Sequence, residues 1–109
     1  MKDALQSWRQ PTAVFAAYDN VAIGAMRMIK EAALEVPGDM SVIGFDDIPM
    51  ARYLQTPLST VGVPSEKLAR LSVESLMKRL KTGDLSGAIH GTIKPDLFIR
   101  ESTGKAKKV

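Results

Sequence analysis

Two apolar runs, each ending in acid, constrain this chain more than any other feature. The first covers residues 12–17 (Thr-Ala-Val-Phe-Ala-Ala) and meets Tyr18-Asp19; the second covers residues 41–45 (Ser-Val-Ile-Gly-Phe) and meets Asp46-Asp47. Neither run alternates apolar with polar. A run of this kind reads as a strand buried on both faces, the pattern of a parallel sheet. A helical pattern from Asn20 to about Leu34 lies between them, and parallel neighbours need a crossover of that length. In an open parallel sheet, ligands bind in the crevice outside the carboxyl ends of the strands. Tyr18, Asp19, Asp46 and Asp47 fall there, so the chain reads as part of a ligand-binding α/β unit.

With 109 residues there is room for one domain or less. The net charge of +3 owes its sign to Lys105, Lys107 and Lys108. These sit in residues 104–109, expected to be a flexible basic tail rather than a nucleic-acid footprint. Setting them aside leaves no net charge, so no folded basic face is expected. The absence of cysteine fits a reducing compartment. No run approaches the length of a membrane span, and Met1-Lys2-Asp3-Ala4 does not open a signal peptide. The expected location is the cytoplasm, with no membrane partner.

Residues 2–8 read as the last turns of a helix, with Trp8 packing it on the sheet. Asp19 is expected to cap the next helix, where a carboxylate satisfies free backbone N–H groups and suits the positive end of the dipole. The first half of that helix, residues 21–26, is apolar all round and must be covered on more than one face. Val36-Pro37-Gly38-Asp39 is a turn, with proline fixing φ and glycine allowing a positive φ. Residues 46–56 read as loop with a helical turn near 50–54, and residues 59–63 as a short strand. Pro64-Ser65 then opens a long helix with Leu68, Leu71, Leu76 and Leu80 on one stripe, stopped by Gly83. Residues 84–91 are loop, and residues 92–100 hold one or two strands around Pro95. The alternation is α/β.

Asp46 and Asp47 are the sharpest candidates for chemistry. A carboxylate at a strand end accepts hydrogen bonds from vicinal hydroxyls or ring N–H groups, which suits sugars and nucleobases. The competing assignment has one of them capping a turn while the other faces water. Tyr18 offers an aromatic face with a hydroxyl, and Asp19 is either a cap or a contact. No catalyst is built: there is no cysteine, and the one histidine, His90, is expected on the surface with no nucleophile motif near it. Gly-rich phosphate cradles and metal-loop spacings are missing as well. The chain is therefore expected to be no enzyme and to need no cofactor or metal. A receiver-like phosphoacceptor also collects aspartates at strand ends. It draws its acid pair from the first strand and needs a later strand-end lysine, and neither is present.

Taken in order, residues 11–26 (Pro-Thr-Ala-Val-Phe-Ala-Ala-Tyr-Asp-Asn-Val-Ala-Ile-Gly-Ala-Met), residues 36–47 (Val-Pro-Gly-Asp-Met-Ser-Val-Ile-Gly-Phe-Asp-Asp), Thr56-Pro57-Leu58-Ser59-Thr60-Val61 and Phe98-Ile99-Arg100-Glu101-Ser102-Thr103 closely resemble the LacI/GalR family of bacterial repressors. The likeness implies the C-terminal part of a two-lobed core with the periplasmic-binding-protein-like type I fold. Effector is held between the lobes of such a core. Operator DNA would be bound only through a helix-turn-helix domain missing from this chain, as is most of the first lobe. The chain then looks like a shortened piece of a longer protein, and residues 65–81 would belong to the first lobe. The resemblance assigns effector contact to Asp46 and puts Tyr18-Asp19 where the family often has Asn-Asp, which makes a plain sugar effector less secure. It assigns a homodimer surface to Ile23, Met26, Arg27, Tyr53 and Leu54. A lobe of a periplasmic sugar-binding protein is the nearest alternative.

Overall fold

The computed structural model describes residues 3, 11–83 and 91–106. The expectations for residues 2–8, apart from helical Asp3, for the loop at 84–90 with His90, and for the basic tail at 107–109 lie outside the described residues. The elements run β1 (Ala13–Phe15), α1 (Asp19–Glu31), β2 (Ser41–Phe45), a 3₁₀ turn (Pro49–Arg52), β3 (Ser59–Gly62), α2 (Ser65–Thr82) and β4 (Asp96–Phe98). Among the described residues the strands form one sheet in the order β1-β2-β3-β4. β1 is parallel to β2, with Val14 opposite Val42, and β2 is parallel to β3, with Gly44 opposite Thr60. β1 is shorter than the run at 12–17 that announced it, whereas β2 covers the whole of 41–45.

The chain divides into two units, Met1–Gly62 with Leu97–Val109 and Val63–Asp96. In the first unit, Ala22 and Ile29 of α1 join Ala16, Met40, Val42, Ala51 and Leu58 in one buried cluster. Ile29, Met40, Val42 and Leu58 are the bulky apolar members with essentially no exposure. Each such burial contributes about 1.5–3 kcal/mol. Within residues 21–26, expected to be covered on more than one face, Ala22 and Ala25 are buried and Ile23 and Met26 half-buried, but Val21, at 55%, and Gly24 are exposed.

The turn after α1 does not use the freedom that glycine allows. Ala33, not Gly38, takes a positive φ, and the Val36–Pro37 peptide is cis. Asp39 closes this turn by accepting the Glu35 amide at 2.8 Å. Ser102 ties the C-terminal segment to the sheet. Its hydroxyl accepts the Ser59 amide at 2.7 Å and donates to the Val42 carbonyl at 2.6 Å. Gly104 is held through the Ser41 hydroxyl, which accepts its amide at 3.1 Å.

In the second unit, α2 ends at Gly83, whose φ of 67° only glycine takes without strain. No residue of α2 is buried. Its Leu68, Leu71, Leu76 and Leu80 are between 42% and 61% exposed.

Candidate functional site

The carboxyl ends of β1 and β2 bring the sequence-derived acids to one place but give them different work. Asp19 is the first residue of α1 and not its cap; extended Tyr18 holds that position without a side-chain bond to the helix. The carboxylate is used elsewhere. Oδ1 accepts the Thr60 hydroxyl at 2.6 Å and Oδ2 accepts the Ile48 amide at 2.9 Å, and the residue is fully buried. Gly44 makes this possible: a Cβ there would land on Asp19 Oδ1 and approach Leu58 Cδ2 to 3.1 Å. Asp19 thus braces β3 and the loop after β2 from inside.

Asp46 and Asp47 leave β2 with φ values of 111° and 52°, which L-residues disfavour and Asp tolerates better than most. The Asp46 amide donates to the Val61 carbonyl at 2.8 Å, and the Asp47 amide reaches the Thr60 hydroxyl at 3.4 Å. With Ile48 bonded to Asp19, three consecutive amides fasten the bend.

The two carboxylates then part company. Asp47 is paired with Arg100, Nη2 donating to Oδ1 at 2.6 Å, while Arg100 Nη1 donates to the Leu58 carbonyl at 2.8 Å. The two side chains are 13% and 15% exposed. Arg52 reaches the other Asp47 oxygen at 3.3 Å from a more exposed position. Asp46 is exposed, and among the described residues no hydrogen bond or ion pair engages its carboxylate. Tyr18, at the neighbouring strand end, is 59% exposed. Arg100 and Thr60 were not singled out from sequence. The available signal was an arginine directly after the apolar run Leu97-Phe98-Ile99, where a charge with little exposure needs a partner.

A second feature lies on the outer side of α1. Ile23, Met26 and Arg27 line an open groove of about 520 Å³ with Leu34, Val36 and Leu54. Lys30 bridges to Gln55 on its rim at 2.9 Å. Four of the five residues expected at a dimer surface are therefore brought together; Tyr53 is not among the lining residues and stands 78% exposed. Among the described residues there is no group of three or more His, Cys, Asp or Glu able to hold a metal, and no helix long and apolar enough to cross a membrane.

The periplasmic binding protein-like domain family matches residues 1–103. A lactose operon repressor from Rhizobium radiobacter is 43% identical over 96 residues, which cover 88% of this chain and 83% of that protein. The chain belongs to the LacI/GalR family. A LacI family transcriptional regulator from Enterococcus faecium with bound ribose superposes with a TM-score of 0.83 at 30% identity, over 97% of this chain. The lac repressor dimer bound to operator and an anti-inducer does so with a TM-score of 0.77 at 34% identity, over 85% of this chain. This chain spans 38% and 32% of those two regulators. The α/β fold with parallel strands is that of the LacI-type periplasmic-binding-protein-like domain. The receiver-like alternative falls away with it, and the curated relatives are repressors rather than enzymes or transport proteins.

Proposed function

We propose that this chain is the C-terminal portion of the effector-binding core of a LacI-type repressor, with Asp46 as an acceptor for a sugar hydroxyl or a nucleobase N–H. The observation that carries the reading is the division of labour at the end of β2. Asp47 is paired with Arg100, while the Asp46 carboxylate stands exposed with no partner among the described residues. A bare carboxylate at the carboxyl end of a parallel strand is well placed to accept hydrogen bonds from a polar ligand. Tyr18 stacks beside that ligand through its exposed ring. Asp19 is given no contact, since both its oxygens are bonded within the fold.

The groove on α1 serves a second copy of the chain. Its apolar floor of Ile23, Met26 and Leu54 suits a symmetric contact, and a structural neighbour is a repressor dimer. Operator binding belongs to a domain outside these residues, the protein acts in the cytoplasm, and no step of the reading calls for an enzyme activity, a metal or a cofactor.

The test is calorimetric titration of the repressor carrying these residues with ribose, lactose, glucose, sucrose and hypoxanthine. One of these should bind, and Asp46→Asn should weaken it by about 10- to 100-fold, the scale of a lost charge-assisted hydrogen bond. The melting temperature should hardly move. Unchanged affinity with a large loss of stability would reassign Asp46 to a structural role.

A further inference from the structure

We infer that Arg100 is a positioning residue for effector recognition, aiming Asp46 through its hold on Asp47 and the Leu58 carbonyl; this rests on the reading of Asp46 as the effector acceptor. The bend that presents Asp46 is costly. Two successive L-residues have positive φ, and the 111° of Asp46 lies outside even the left-handed helical well. Strained backbone persists only where its surroundings over-determine it. Here the amides of Asp46, Asp47 and Ile48 are fixed by Val61, Thr60 and Asp19. Those bonds set the path of the chain, but they leave the carboxylate of Asp47 to be dealt with.

Arg100 takes the nearer hold on that carboxylate, while the more exposed Arg52 reaches its other oxygen at 3.3 Å. The planar fork of Arg100 takes Asp47 Oδ1 with one nitrogen and the Leu58 carbonyl with the other, at 2.6 and 2.8 Å. The fork is itself fixed: the Arg100 amide donates to the Ser59 hydroxyl at 2.8 Å, and the guanidinium lies 5.5 Å from the Phe98 ring centroid. Two consequences reach Asp46. The side chain of Asp47 is held down against β3, so the next residue back along the bend projects outward. The charge of Asp47 is compensated, so Asp46 does not share its site with a second bare carboxylate. A lysine cannot reproduce this, since one ammonium is a point charge rather than a two-pronged planar donor.

A double-mutant cycle on the repressor carrying these residues tests the inference, using whichever of ribose, lactose, glucose, sucrose or hypoxanthine binds. Asp46→Gly removes the acceptor and suits the positive φ. Arg100→Gln should weaken binding about tenfold alone and have no further effect in the Asp46→Gly background. Arg100→Lys, which keeps the charge but not the fork, should fall between wild type and Arg100→Gln; it serves alone in the cycle if Arg100→Gln does not fold. A general structural defect would lower affinity equally in both backgrounds, and that result would overturn the positioning role. So would a loss for Asp46→Gly with wild-type binding for both Arg100 variants. If Asp46→Gly itself binds normally, or none of the five compounds binds, the effector reading fails and this inference with it.

Discussion

At the scale of single residues, the acids at the strand ends show what a sequence can and cannot tell. That Asp19, Asp46 and Asp47 gather at one end of the sheet follows from two apolar runs of known direction. Which acid is structural and which is free does not, because the deciding partners are remote: Thr60 lies 41 positions from Asp19 and Arg100 lies 53 from Asp47. Two substitutions probe the buried brace. Thr60→Val keeps the shape but strips Asp19 Oδ1 of its donor, which should cost about 1–3 kcal/mol of stability, the penalty of an unsatisfied buried polar group. Urea denaturation should show a lower midpoint with an unchanged slope. Gly44→Ala should lower the midpoint by a similar or larger amount, because the added methyl meets a fixed carboxylate and Leu58 rather than open space. A midpoint within error of wild type for both would mean that Asp19 does not brace the loop.

At the scale of elements, the strands and α1 were legible because unalternated apolar runs and a helical pattern between them have few other solutions. Their edges were less so: the first strand shrinks to Ala13–Phe15 and the helix begins at Asp19 rather than after it. Asp19 does not cap the helix, for a physical reason. A carboxylate at a helix start can serve the helix amides or a neighbouring strand, and local sequence does not rank the two. The outer side of α1 carries its own prediction. Met26→Glu places a charge on the apolar floor of the groove beside Ile23 and Leu54. It should convert a dimeric repressor to monomer in light-scattering measurements, while circular dichroism stays that of the folded protein, since Met26 is only half-buried. A dimer that survives Met26→Glu would place the contact elsewhere.

At the scale of the whole molecule, the 109-residue chain carries two apolar surfaces that its described residues leave uncovered. One is the groove on the first unit; the other is α2, where four leucines and Met77 are at least two-fifths exposed and no residue is buried. The leucine stripe was plain in the sequence from its spacing, but spacing does not say what covers it. An amphipathic helix of 18 residues is stabilised chiefly by packing of its apolar face. The chain by itself should therefore self-associate at tens of micromolar, and sedimentation equilibrium should return a mass of at least two chains. It should also fail to bind ribose or any compound of the same panel at micromolar affinity if, as proposed, this chain is only the C-terminal portion of an effector-binding core. The two outcomes are linked through one physical cause, apolar and polar surface waiting for partners. Met26→Glu separates the surfaces: association through the groove is lost with it, whereas association through α2 persists and is lost instead on Leu71→Glu. A clean monomer for the unaltered chain would show that both surfaces are tolerated in water, and micromolar sugar binding by that monomer would show that these residues suffice for an effector site.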